Sequence, residues 1–339
     1  MTAFEEEIRS QGDVLARRVV AGASQARRAA TSLHDASYLL VAARGSSDNA
    51  AIFFQYLAGQ ELGRMVALAA PSLFEGDRFV SLEGAGVVAI SQSGRSPGIA
   101  DVVTRAAAQG CATVALTNDV ASPLALASGT VIELGVGPER AIASTKTFSS
   151  TWHALAQLVE AMSGHPLEGL ADLPAAVVEM TTWVLHQSLP LALLDVAGLT
   201  VLGRGVGYAA AAEIALKVRE VSGVRAEAYA AADYLHGPIG ADGVGCTAVV
   251  VVTEELSDAV LSELLHGCRE SGMSTVVIRP AGRSASQCDA QIVLPGERAN
   301  WIHALGAVFV GQAIALRLGE RRGRPIDTSP RLSKVTLSA

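Results

Sequence analysis

Leu39-Leu40-Val41-Ala42-Ala43-Arg44-Gly45 returns as Leu199-Thr200-Val201-Leu202-Gly203-Arg204-Gly205, 160 positions further along the chain. Each is a short apolar run that breaks at a glycine, the mark of a buried strand handing over to a turn. The offset persists downstream. Val131-Ile132-Glu133-Leu134, followed by Gly137-Pro138-Glu139-Arg140, has its counterpart in Gln291-Ile292-Val293-Leu294 followed by Pro295-Gly296-Glu297-Arg298. Between these runs, apolar strands alternate with longer alanine-rich stretches, the pattern of parallel sheets flanked by helices. The repeat predicts an α/β protein made of two tandem copies of one doubly wound domain. The predicted organisation is a leading helix over 1–30, a first copy over 31–165, a helical connector over 166–195 bracketed by Pro166, Pro174 and Pro190, a second copy over 196–324, and a tail over 325–339.

The 339 residues, half of them apolar, suffice for two domains with proper cores. A net charge of −7, with no basic run beyond pairs such as Arg321-Arg322, argues against nucleic acid as a partner. Cys111, Cys246, Cys268 and Cys288 stand singly, without metal-ligand spacing, and read as thiols of a reducing cytoplasm. The start, with Glu5-Glu6-Glu7 before Arg9, lacks the order of a signal peptide, and no apolar run is read as a membrane span. The expectation is a soluble cytoplasmic protein.

The chemistry is concentrated after the strand Val87 to Ile90, in Ser91-Gln92-Ser93-Gly94-Arg95-Ser96-Pro97. A buried strand ending in such a turn and feeding a helix offers N–H groups and hydroxyls to an anion. No Walker lysine and no three-glycine fingerprint accompanies it, which points away from nucleotides and toward a phosphorylated small metabolite. An isolated pair of serines would read as a helix cap; three serines and a glutamine in six residues favour a phosphate cradle. The second copy has Thr253-Glu254-Glu255-Leu256 in the corresponding place, so only the first copy is expected to hold a phosphate.

Taken in order, the motifs resemble the sugar isomerase (SIS) domain superfamily. They are Glu7-Ile8-Arg9-Ser10-Gln11, Gly45-Ser46-Ser47, Ser91-Gln92-Ser93-Gly94, Ala143-Ser144-Thr145-Lys146, Glu213-Ile214-Ala215-Leu216-Lys217-Val218-Arg219-Glu220, Ala226-Glu227-Ala228-Tyr229, His236-Gly237-Pro238 and Pro330-Arg331-Leu332-Ser333-Lys334-Val335-Thr336. Within that superfamily the chain is similar to the isomerase half of glucosamine-6-phosphate synthase (glutamine–fructose-6-phosphate aminotransferase) and to free-standing SIS-type glucosamine-6-phosphate deaminases and fructosamine-phosphate deglycases. The resemblance implies flavodoxin-like sheets, no cofactor and no metal. It also implies a homodimer whose sites take a histidine from the neighbouring subunit. By the same resemblance Ser46, Ser47, Ser91, Gln92, Ser93 and Ser96 surround the sugar phosphate and Ser144 lies beside the sugar. Glu220 moves the proton between C1 and C2, His236 assists ring opening, Lys217 supports the site electrostatically, and Lys334 reaches the sugar carbonyl from a tail that closes over the site.

Two departures refine this. Position 2 is threonine and no cysteine precedes Cys111, so the glutamine-hydrolysing machinery of the synthase is not expected. Ser96-Pro97 after Gly94-Arg95 is closer to the deaminase and deglycase branch, although Gly98 replaces the acidic residue common there. The implied reaction is glucosamine 6-phosphate to fructose 6-phosphate and ammonia. Deglycation of a fructosamine phosphate is the second reading, and a non-catalytic sugar-phosphate regulator the third. The residues alone leave several points open. Lys217 and Glu220, three apart, fit a solvated ion pair on one helix face. His236 fits a cap before a turn, Lys334 a solvated terminal charge, and Arg44 either a phosphate ligand or the partner of an acid. The remaining histidines, His34, His153, His165, His186, His266 and His303, share no metal spacing and are assigned structural or surface roles.

Overall fold

The computed structural model describes residues 1–74, 76, 79–329 and 334. Among these residues ten strands form two five-stranded parallel sheets. The first holds β1 (Tyr38–Ala42), β2 (Val66–Leu68), β3 (Ala85–Ile90), β4 (Ala112–Thr117) and β5 (Thr130–Glu133), in the order β2-β1-β3-β4-β5. The second holds β6 (Gly198–Gly203), β7 (Arg225–Ala230), β8 (Cys246–Val251), β9 (Ser274–Arg279) and β10 (Ala290–Val293), in the order β10-β9-β8-β6-β7. Numbered from its own first strand, each sheet therefore runs 2-1-3-4-5, with a topological switch between its first and third strands. Every residue of β3 and of β6 is buried, as parallel strands covered on both faces require.

Among the described residues, one compact unit comprises 13–139 and 146–174 with Lys334, and carries β1–β5. The other comprises 1–12, 140–145 and the chain from Ala175 through Ser329, and carries β6–β10. The stretch expected as one leading helix is two, Ala3–Arg9 and Gln11–Ser32. They part at Ser10, whose hydroxyl donates back to the Glu7 carbonyl at 3.2 Å, and the second helix falls in the other unit from Asp13 onward.

In the β1–β5 unit, Leu40, Val87, Ala89, Ile99, Val103 and Leu124 belong to one apolar cluster. Phe53 stacks on Trp152, ring centroids 3.7 Å apart, with Phe148 tilted against the same indole. In the β6–β10 unit, Leu202, Val250, Leu264 and Val277 pack with Tyr234 and Cys268. Helix Asn300–Arg321 packs against helix Val206–Ser222 so closely that a Cβ on Gly311 would stand 2.5 Å from Ile214 Cγ1. That 22-residue helix corrects the sequence reading, because its length and composition are enough to cross a membrane. Its most apolar stretch is 94 % buried in the protein, which makes it a core helix by environment.

Candidate active site

The repeat brings matching geometry to the two first strands. Gly45 and Gly205 end them with φ/ψ of 62/−130° and 58/−132°, a conformation only glycine adopts without strain, and each opens a 17-residue helix, Ser46–Leu62 or Val206–Ser222. In the β1–β5 unit the turn after β3 lies beside this helix start, because β1 and β3 are neighbours in the sheet. A parallel sheet receives its ligands at such a switch point, beyond the carboxyl ends of its strands.

The hydroxyl turn is built to a fixed shape. Ser91 is buried, and its hydroxyl shares a hydrogen bond with that of Ser96 at 2.9 Å. The Gln92 carbonyl accepts from the amide of Asn118 at 3.0 Å and the hydroxyl of Thr117 at 3.2 Å, pinning the turn to the end of β4. Gly94 has φ of 62°, and a Cβ there would stand 2.0 Å from Ser122 Oγ, so both backbone and space demand glycine. Among the described residues the amides of Gln92 and Ser93 meet no protein acceptor. Helix Ser46–Leu62 directs the positive end of its dipole to the same strand ends, with the Asp48 and Asn49 amides of its first turn donating to the Gly45 carbonyl at 3.0 and 3.1 Å. Ser46, Ser47, Ser91, Gln92, Ser93 and Ser96 thus follow the carboxyl ends of the adjacent strands β1 and β3.

The two flanking arginines separate. Arg95 pairs with Asp119 at 3.0 Å on the surface. Arg44 lies by the cradle: its Nη2 is 3.4 Å from where a Cβ on Gly98 would sit. Asp48 is half-buried in the first turn of helix Ser46–Leu62, and burial pushes its carboxyl up from the ordinary range.

Lys334 belongs to the same unit. Its Nζ is 2.8 Å from Glu139 Oε2. Glu139 has a fully buried side chain and also accepts from the Thr147 amide at 3.0 Å and hydroxyl at 2.9 Å, at the N-terminus of helix Lys146–Ser163. A carboxylate so placed gains from the helix dipole and from the ammonium. In the sequence Glu139 stands out only as part of the repeat, an acid after Gly137-Pro138 in the segment beyond β5. The rest of the quoted tail, Pro330-Arg331-Leu332-Ser333 and Val335-Thr336, lies outside the described residues.

The β6–β10 unit holds the proposed acid/base group. Lys217 and Glu220 touch at 2.5 Å on helix Val206–Ser222, and Glu213 Oε1 is 3.4 Å from the same ammonium. The solvated pair that spacing allowed is not what forms: Lys217 and Glu213 are wholly buried, and only Glu220, with 23 % of its side chain exposed, faces outward. Burying a lysine is costly unless carboxylates surround it, and here two do. The arrangement fixes a carboxylate at the surface by a cation behind it. His236, on the C-cap of helix Ala231–Leu235, is exposed and donates its amide to the Asp233 carbonyl at 3.1 Å. Ser144 is partly buried in the 140–145 stretch of this unit. The cradle serines and Lys334 thus lie in one unit, and Ser144, Lys217, Glu220 and His236 in the other.

With this geometry in place, comparison with known proteins defines the class. Residues 32–161 match the SIS domain family, and the chain contains a SIS domain. It is homologous to the isomerase domain of glutamine–fructose-6-phosphate aminotransferase: it is 27 % identical over 319 residues to that enzyme of Halobacterium salinarum, covering 89 % of this chain and 52 % of the relative. The chain spans about half the length of the curated relatives it matches. Among solved structures, a candidate phosphosugar isomerase from Silicibacter pomeroyi DSS-3 superposes with a TM-score of 0.83 at 29 % identity, covering 96 % of this chain and 99 % of that one. Glucosamine-6-phosphate deaminase from Thermotoga maritima shares the fold, with a TM-score of 0.77 at 19 % identity over 98 % of this chain and 99 % of that one.

Proposed function

We propose that this chain is a SIS-type deaminase that converts glucosamine 6-phosphate and water to fructose 6-phosphate and ammonia. The observation that carries the reading is the open donor cradle at the β1/β3 switch point, whose hydroxyls and amides suit a phosphate dianion. The outward carboxylate of Glu220, backed by buried Lys217, supports the catalytic half. We read the two units as tandem doubly wound, flavodoxin-like copies acting in a cytoplasmic homodimer, with exposed His236 serving the neighbouring subunit's site.

In this reading Ser46, Ser47, Ser91, Gln92, Ser93 and Ser96 hold the phosphate, and Ser144 orients the sugar. His236 promotes ring opening to the 2-amino aldehyde, whose carbonyl Lys334 engages. Glu220 takes the proton from C2 and returns it to C1 while a proton passes from the amine nitrogen to O1, leaving an imine at C2; water adds to that imine and ammonia departs, forming a carbonyl at C2. Lys217 holds the Glu220 carboxylate in position and offsets the negative charge that develops on the substrate. The test is ammonia and fructose 6-phosphate release from glucosamine 6-phosphate. Glu220→Gln should retain substrate binding while kcat falls at least ~100-fold. Product from fructosamine phosphates but none from glucosamine 6-phosphate would hand the activity to deglycation, and binding without turnover in wild type would make the chain a sensor.

A further inference from the structure

The two helix starts opposite Gly45 and Gly205 have the same backbone but different surroundings. Gly45 is exposed, with nothing within 4 Å of its Cβ position. Gly205 is buried, and its Cβ position lies 2.7 Å from the carboxyl carbon and Oε1 of Glu255. Counted from the preceding strand, Glu255 follows β8 at the distance at which Gly94 follows β3. The carboxylate is held there: Asn300 Nδ2 donates to Glu255 Oε2 at 2.8 Å, while the Glu254 amide donates to Asn300 Oδ1 at 2.9 Å. Thr253 ties the same turn to the Arg204 carbonyl at 3.2 Å.

We propose that Glu255 is a built-in anion, seated where the second unit would otherwise hold a phosphoryl group, and that it confines phosphate binding to the β1–β5 unit. A duplicated helix start keeps its preference for negative charge whether or not it serves a ligand. A tethered carboxylate satisfies that preference at far higher effective concentration than free phosphate. The inference rests on reading the β1–β5 cradle as a phosphate site, and the experiment separates the two.

Inorganic phosphate is titrated by calorimetry and by thermal melting into the full chain as wild type, Glu255→Ala, Glu255→Gln, and each of these with Ser91→Ala and Ser96→Ala. The expected result is a second phosphate per chain in Glu255→Ala. Its Tm should fall in phosphate-free buffer and rise by about 3 °C at a phosphate concentration roughly tenfold above Kd. That rise should survive the Ser91/Ser96 substitutions. Glu255→Gln, whose amide still fills the place, should bind no additional phosphate. A phosphate response of Glu255→Ala that disappears entirely in the Ser91/Ser96 background overturns the proposal, as does a second phosphate bound by Glu255→Gln. If Glu255→Ala fails to fold without phosphate, Glu255→Ser takes its place with the same criteria. A wild-type phosphate response unchanged by the Ser91/Ser96 substitutions counts instead against the cradle reading.

Discussion

At the scale of single residues, burial decides what a charge does. Arg18, buried on helix Gln11–Ser32, donates from Nη1 to Gln157 Oε1 at 3.1 Å and to His153 Nδ1 at 3.2 Å. An imidazole that accepts from a guanidinium must be neutral, and burial together with the Arg18 charge pushes His153 down to about 3. Burial likewise lowers Arg18 to about 10. The consequence for stability has a definite sign. Unfolded, His153 takes up a proton as pH drops through its ordinary value near 6.5; folded, it stays neutral until pH approaches 3. The stabilisation is therefore complete above pH 6.5 and is lost progressively below it, by at most about 1.4 kcal/mol per pH unit. Thermal melts between pH 7 and pH 4 should show this fall in wild type and a shallower one in His153→Gln. An equal slope in both would assign the acid sensitivity elsewhere. None of this was legible in the sequence beyond a structural role for His153, because helical spacing places a residue on a face without saying what covers it. Lys217 makes the same point: its spacing from Glu220 was readable, its complete burial was not.

At the scale of elements, the turn after β3 was read from its composition and the structure gives that composition a shape. Hydroxyls and glycine announced an anion cradle, but the Ser91–Ser96 hydrogen bond, the two anchors on the Gln92 carbonyl and the seat of Gly94 against Ser122 depend on β4 and the chain beyond it. Local sequence cannot encode those partners. Gly94→Ala should therefore damage the element twice, through a positive φ costing about 1–2 kcal/mol and through overpacking costing about 1–3 kcal/mol. The expected outcome is loss of phosphate binding by calorimetry, with a lowered denaturant midpoint; unchanged phosphate affinity would mean that the turn is not the cradle. The repeat was legible at this scale too. The offset of 160 read from Gly45 and Gly205 is the offset between helices Ser46–Leu62 and Val206–Ser222. Of the two carboxylates that composition places where the cradle would be, Glu254 and Glu255, the structure packs the second on a glycine.

At the scale of the whole chain, the compact units do not follow the order of the sequence. Helix Ala3–Arg9 belongs with β6–β10, and long-range bonds hold it there. The Asp327 carboxylate accepts from the amides of Ala3 at 2.9 Å and Phe4 at 2.8 Å, Glu7 accepts from the Arg140 amide at 2.5 Å, and Gln11 donates to Gln312 at 2.8 Å. Asp327 thereby caps a helix more than three hundred residues away in sequence, a pairing that no periodicity or spacing could announce. Asp327→Ala should cost about 1–2 kcal/mol locally and speed amide exchange over residues 3–9 by about tenfold or more. Exchange there at the wild-type rate would show that the clasp contributes nothing.

This clasp also bears on how the polypeptide is made. Phe4 and Ile8, completely buried in the finished protein, are synthesised more than three hundred residues before Asp327, which caps their helix. While the intervening residues are being made the newborn chain carries that apolar face without its cap, so this helix is secured only after the whole second sheet has been translated.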